Sequence, residues 1–337
     1  MSRDDGSGAL GSQREVLVAT DLRKSYGQRE ALGGLSFSLR AGRVLGFLGP
    51  NGAGKTTAIR ILTTILKPTS GTFVVDGIGS ARPDAIRRRI GVLPESLGFP
   101  KEISGIDYLA FFGRLYGRTA VEAKATGAAL LEDVGLAERG RSPIRSYSRG
   151  MRQRLGIARA LVNDPVVVFL DEPTLGLDPR GQRELLELVR RVARRAGVVL
   201  CTHSLSEVEG VCDDVVILSS GHVVAEGSVA DVIGIAQQGD DGQRVIRVHV
   251  PSRSIEDAEG VLRAEPSVIR VTRLGQATGW LGVELVDPDG QDRSVDLGSS
   301  NAILGALIGA EISILSFESE GGNLHDAFLQ LTEGTSA

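Results

Sequence analysis

The chain has 337 residues, of which 42% are hydrophobic and 24% charged; that is enough for one large and one smaller domain, with a core that needs neither disulfide nor metal. Lysine and arginine number 38 against 42 aspartates and glutamates, a formal charge of −4, which argues against a dedicated nucleic-acid binder. The two cysteines, Cys201 and Cys212, fit no disulfide framework and no zinc spacing, as expected of a chain in a reducing cytosol.

Residues 1–14 are polar, rich in Gly and Ser and without an apolar h-region, so they read as a disordered tail. Apolar alternations over 15–22, 31–39 and 43–48 predict three strands. A Gly-rich turn then opens a helix over 54–66, which Pro68 and Gly71 end, and 72–76 returns as a strand. A mostly helical stretch follows over 106–140. In it Tyr108, Phe111, Phe112 and Leu115 recur at helical spacing and are expected in the core. The helix over 150–162 carries one apolar stripe, Met151, Leu155, Ala158 and Val162. The continuous apolar run 166–170 suits a strand in the middle of a parallel sheet. A helix over 180–195 and a strand over 198–201 complete an α/β alternation.

The segment 229–243, which includes GIAQQGDDGQ, reads as a linker. Beyond it, residues 244–337 show strand 244–250, helix 254–264, strands 268–274 and 280–286, helix 301–308, strand 312–317 and helix 323–332, with Ser254 and Asp257 as a capping box. That βαββαβ order is the ferredoxin-like split βαβ pattern, so a small α+β domain is expected there. No apolar run approaches the roughly 18–20 residues that span a bilayer. Any membrane role is therefore expected to run through a partner.

Residues 49–57 read GPNGAGKTT and match G-x-x-x-x-G-K-[ST] through Gly49, Gly54, Lys55 and Thr56. With a strand before it and a helix after it, the run Gly49, Pro50, Asn51, Gly52, Ala53, Gly54, Lys55, Thr56 and Thr57 is expected to cradle phosphates on backbone N–H groups. Lys55 brings a full charge to the β- and γ-phosphates, and the Thr56 hydroxyl suits Mg²⁺. The run 166–172 ends in Asp171 and Glu172, two carboxylates at the C-terminal end of a strand, where open α/β sheets bind ligands. Asp171 is expected in the magnesium shell and Glu172 on the attacking water.

The next residues narrow the class. Tyr147-Ser148-Arg149-Gly150-Met151 resembles the signature motif of ATP-binding-cassette (ABC) proteins, usually LSGGQ, with departures at Tyr147, Arg149 and Met151. Leu175-Gly176-Leu177-Asp178 resembles the D-loop, Thr202-His203 the switch histidine, and Tyr26 the aromatic that stacks on adenine. The resemblance covers about residues 15–228 and implies a P-loop ABC cassette with a mixed sheet core and a helical subdomain. It implies an ATPase that uses ATP and Mg²⁺, with Ser148, Gly150 and Asp178 gripping ATP held by a second cassette, identical or paired. Catalysis would rest on Glu172, His203 and Lys55. Where the family usually has the Q-loop glutamine, this chain has Pro94-Glu95, and Glu95 takes that place near ATP and Mg²⁺. Pro94-Glu95 with the YSRGM run looks like the drug- and lipid-exporter branch, whose ATPase is a separate polypeptide on the cytoplasmic face of the membrane, bound to a polytopic permease. A C-terminal extension like 244–337 suits an accessory or regulatory domain.

Other classes fit less well. DNA-repair and chromosome-organising ATPases insert long coiled coils between the two nucleotide motifs, whereas the interval from Lys55 to Asp171 is short and lacks sustained heptads. A translation factor carries two cassettes, and GPNGAGKTT occurs once. The alternative kept is a non-transport ABC ATPase acting as a soluble regulatory or assembly factor.

Overall fold

A computed structural model describes residues 14–96, 98–237, 244–274, 279–285 and 297–320, with Leu324 and Phe328. It divides into two compact units, Met1–Val229 and Ala230–Ala337. In chain order the first holds β1 (Glu15–Tyr26), β2 (Arg29–Arg40), β3 (Val44–Leu48), α1 (Lys55–Leu62), β4 (Ser70–Val75), β5 (Ile78–Gly79), α2 (Pro83–Arg87), β6 (Ile90–Leu93), α3 (Gly105–Leu115), α4 (Ala120–Asp133), α5 (Arg149–Leu161), β7 (Val167–Asp171), α6 (Pro179–Ala193), β8 (Gly197–Thr202), α7 (Leu205–Val211), β9 (Asp214–Ser219) and β10 (His222–Ser228).

Two sheets share one core. The larger has the order β10-β9-β3-β8-β7-β6 and is parallel except for β10. Every residue of β3, β7 and β8 is buried, which is why the sequence of β7 reads as an unbroken apolar run rather than an alternation. The smaller sheet, β2-β1-β4-β5, is antiparallel. Its Leu17, Leu35, Phe37 and Phe73 pack with Phe47, Phe169, Val199 and the inner side of α1. Phe37 and Phe47 meet edge to face across the sheets, centroids 5.1 Å apart. Burial pushes the thiols of Cys201 and Cys212 far above their usual range, so both act as packing groups.

Helix α1 stops at Leu62, short of the expected 66. The Thr63 hydroxyl donates back to the Ile59 carbonyl at 2.7 Å, Thr64 turns left-handed at φ 64°, and the N–H groups of Ile65 and Leu66 both close on Arg60 O. In the helical layer Tyr108 is buried as expected, but Phe111 and Leu115 are 56% and 65% exposed, contrary to the core expectation. The inward side of α3 is Gly105, Tyr108, Leu109 and Gly113. The buried face is thus rotated from the apolar stripe, because spacing groups residues on a side without saying what covers it.

Helix α8 (Val229–Gln237) starts on the last residue of the first unit and continues into the second, in place of the linker expected over 229–243. Val229, Ala230, Val232 and Ile233 supply enough apolar, non-breaking residues for a helix, and Asp231 sits in its first turn. The remainder of that segment, 238–243, lies outside the described residues. Then come β11 (Arg244–His249), α9 (Ile255–Ala264), β12 (Val268–Leu274), β13 (Trp280–Leu285), α10 (Leu297–Gly309) and β14 (Ser316–Glu320). All neighbours are antiparallel in the order β12-β13-β11-β14. β13 therefore separates the parallel pair β11 and β12, and β11 separates β13 and β14, which is the split βαβ arrangement. Ala258 and Leu262 of α9 and Ile303 and Leu307 of α10 cover one face over Ile246, Val248, Leu281 and Val283.

Three details of this unit differ from expectation. Ser254 makes no capping bond, since it closes a 3₁₀ turn at φ −105°, ψ 5° instead of the extended conformation a cap requires. α10 begins earlier, at Leu297, and β14 begins later, because Ile312 N–H still closes on Leu307 O. Of the helix expected over 323–332 only Leu324 and Phe328 are described, both helical; the tail before Arg14 lies outside the described residues.

Candidate functional site

The phosphate loop leaves β3 at the C-terminal end of the parallel sheet and enters α1. Two glycines are required there by space and by backbone. A Cβ on Gly49 would stand 2.3 Å from the Leu218 carbonyl. Gly54, the N-cap of α1, has φ 107° and would meet Ala31 O at 2.8 Å. Lys55 is 7% exposed, and its ammonium donates to Gly49 O at 2.5 Å and Pro50 O at 3.2 Å. The free loop thus folds around its own lysine.

β7 delivers Asp171 beside this loop, and burial leaves it 8% exposed. Its carboxyl is raised from 3.8 to about 6, first by burial and then by the charges of Glu95 and Glu172, against the opposing pull of Lys55 and Arg60. Glu172 follows with φ 48°, an uncommon conformation for a side chain that is not glycine. Its N–H donates to Cys201 O at 3.0 Å, and both carboxylate oxygens lie 3.0 Å from His203 Nδ1. Tyr26 ends β1, half exposed, with the Lys24 ammonium 5.3 Å from its ring centre.

One cleft of about 490 Å³ is lined by Tyr26, Pro50, Asn51, Gly52, Ala53, Gly54, Lys55, Thr56, Thr57, Glu95, Asp171, Glu172 and His203. Arg29 and Glu30, at the start of β2, line it as well; no motif marks them, and only the β1–β2 hairpin brings them there. Ser148, Gly150 and Asp178 are elsewhere. They line a second cleft of about 540 Å³ with Arg149, Gly176 and Leu177. Ser148 caps α5 by accepting Met151 N–H at 3.2 Å, and Asp178 caps α6 by accepting Gly181 N–H at 3.1 Å. Arg149 lies flat against the D-loop, where a Cβ on Gly176 would come within 2.4 Å of its guanidinium.

The donor set of the first cleft fits a magnesium ion. Asp171, Glu95 and Glu172 line it together, near enough that the charges of Glu95 and Glu172 raise the Asp171 carboxyl, and Thr56 is exposed on the first turn of α1. Among the described residues no group of three His, Cys, Asp or Glu could hold a metal unaided.

A family profile described as ABC transporter matches residues 32–175. The chain is 34% identical over 320 residues to the "Daunorubicin/doxorubicin resistance ATP-binding protein DrrA" of Streptomyces peucetius, covering 94% of this chain and 92% of that protein. The chain belongs to the ATP-binding subunits of ABC transporters. A second relative, the "Daunorubicin resistance ATP-binding protein DrrA3" of Streptomyces coeruleorubidus, is 43% identical over 69% of this chain and 74% of its own length. A solved "ATP binding subunit of ABC transporter" superposes with a TM-score of 0.59 at 31% identity, covering 65% of this chain and 92% of that one. This ABC subunit is an ATPase of the P-loop cassette fold, and its likeness to DrrA extends into the second unit. Among the described residues no helix is long and apolar enough to cross a membrane.

The raised Asp171 carboxyl makes the nucleotide-free ABC subunit sensitive to pH. Its folded value, about 6, lies above the ordinary 3.8, so the folded state holds this proton more tightly. The contribution is complete below about pH 4 and is lost as pH rises to about 6. Above that, the buried charge costs on the order of 2–3 kcal/mol. Asp171→Asn should therefore melt several degrees above the unmodified protein at pH 7.5, with the gap narrowing toward pH 5. Thermal unfolding in chelator without nucleotide measures it; a gap constant across that range would contradict the burial argument.

Proposed function

We propose that two cassettes, two copies of this chain or this chain and a paired cassette, close head-to-tail around two ATP molecules with Mg²⁺. We further propose that the cycle drives export of a drug-like or lipid-like compound through a separate polytopic permease on the cytoplasmic face of the membrane. The observation that carries this reading is the separation of the two phosphate-gripping surfaces. The loop with Lys55 lines one cleft, and Ser148 and Gly150 at the α5 N-terminus line another. One chain thus offers each ATP half of its donors, and a second cassette supplies the rest.

Within each site the loop N–H groups and Lys55 hold the phosphates, and Tyr26 offers a ring for the base. Thr56 and Asp171, with Glu95 beside them, would hold Mg²⁺, which neutralises charge on the β- and γ-phosphates when bound. Glu172 polarises the attacking water, and His203, 3.0 Å away, fixes the direction of its carboxylate. Coupling to a permease is supported by the helical layer. The segment after Glu95 brings Phe99 onto Tyr108 of α3 at 5.2 Å, and the same helix exposes Phe111 and Leu115. The names of the drug-resistance relatives support export. The second unit is proposed as a non-catalytic accessory module.

Sedimentation of the Glu172→Gln protein tests the dimer. With ATP and Mg²⁺ it should sediment as a dimer, and in chelator as a monomer, because hydrolysis no longer opens the pair. A monomer at saturating ATP, alone and with its permease, would count against the head-to-tail reading.

A further inference from the structure

Glu207 on α7 is 6% exposed, and the motifs give it no part. Its two carboxylate oxygens have different partners. Oε1 accepts the Thr174 hydroxyl at 2.6 Å, and Oε2 accepts the Thr202 hydroxyl at 2.8 Å. Both threonines are buried, at 2% and 0% exposed. The Thr202 oxygen also accepts Ser204 N–H at 3.0 Å. Among the described residues neither carboxylate oxygen forms an ion pair with a cation. A buried carboxylate without a counter-charge is unfavourable, and a purely packing role would be met by an apolar side chain.

The two threonines explain its place. Thr174 lies two residues after Glu172, and Thr202 immediately precedes His203. Glu172 is held in a left-handed conformation, φ 48°, which persists only where the surroundings over-determine it. Its N–H is tied to Cys201 O on β8, and the Glu207 clasp ties the segment beyond it to the end of the same strand. We propose that Glu207 is the positioning residue that keeps Glu172 and His203 at one separation, by holding the segments next to each through Thr174 and Thr202. It lines neither of the two clefts and acts through those two hydroxyls. The proposal rests on the assignment of Glu172 as the water-polarising group.

Steady-state ATP hydrolysis by the full chain with Mg²⁺ tests it, together with thermal melting and Glu172→Gln measured alongside. Glu207→Asp keeps the charge but is one methylene short, so one hydroxyl goes unreached. Misplacing a reacting group by about 1 Å costs on the order of 100-fold, and Glu207→Asp should lower kcat about 10- to 100-fold with KM for ATP unchanged. Glu207→Gln keeps the length; its oxygen accepts from one threonine and its amide donates to the other, so kcat should return to within about threefold. Thr174→Val, which opens one end of the clasp while preserving volume, should repeat the kcat loss. A normal kcat for Glu207→Asp or Thr174→Val, with Glu172→Gln inactive, overturns the role of Glu207 and leaves Glu172 in place. Parallel losses in kcat, KM and melting temperature also overturn it, since they describe a merely structural carboxylate. Normal turnover by Glu172→Gln removes both assignments together.

Discussion

Glu172→Gln should bind ATP with near-normal affinity and hydrolyse it about 10²–10⁴-fold more slowly. General-base assistance from a placed side chain is worth that much, and the substitution removes the basic oxygen while keeping the shape. The surroundings favour retention of geometry. The backbone of Glu172 is tied to Cys201 O at 3.0 Å, and an amide in place of the carboxylate still hydrogen-bonds His203 Nδ1, 3.0 Å from both present oxygens. The loss should therefore appear in kcat with KM largely unmoved, the sign of an interaction made in the transition state alone. Phosphate release under steady state and equilibrium binding of ATP on the same preparation separate the two quantities. Turnover within a few-fold of the unmodified protein would remove Glu172 from the chemistry. Asp171 and Glu95, which line the same cleft, would then be the carboxylates left to serve the water.

The phosphate loop was legible from sequence because its requirements are local. Gly54 must be left-handed and Gly49 must clear the Leu218 carbonyl, and each demand falls on one residue at a fixed offset. The unbroken apolar run of β7 was legible because a strand between β6 and β8 has no solvent face to mark with polar residues. Phe111 and Leu115 misled for the opposite reason. Their spacing is that of a core stripe, yet the covering surface is not among the described residues of this chain. The helix Val229–Gln237 was taken for a linker because Gly234 and the nearby glutamines set the local composition. The helix makes about two and a half turns although its valines, isoleucines and Gly234 are weak helix formers, so composition alone does not mark it. Glu207 carried no signal at all, since its significance is two hydrogen bonds to threonines that only the pairing of β7 with β8 and the packing of α7 bring within reach. Arg29 and Glu30 were hidden in the same way, by a hairpin whose register alone carries them to the cleft.

Lys55→Ala should lose ATP binding, and with it turnover. The ammonium is 7% exposed and is already oriented inward by Gly49 O and Pro50 O, so little ordering is needed when phosphates arrive. Hydrogen bonds to charged groups contribute about 1.5–3 kcal/mol each. Removing a desolvated charge that faces another costs about 2–5 kcal/mol, which corresponds to a fall in affinity of roughly 30- to several-thousand-fold. The free protein should suffer much less. The two carbonyls that lose their donor belong to a loop whose Asn51 and Gly52 are exposed, and water can reach them. Melting without nucleotide should therefore change by a few degrees at most, while the stabilisation that saturating ATP confers on the unmodified protein disappears. Titration with ATP and Mg²⁺, followed by calorimetry and by melting, reads both effects. Lys55→Met provides the control for length without charge and should bind as poorly as Lys55→Ala. If the methionine variant bound like the unmodified protein, the lysine would be serving the loop's carbonyls rather than the phosphates, and the cleft would lose its principal cation for ATP.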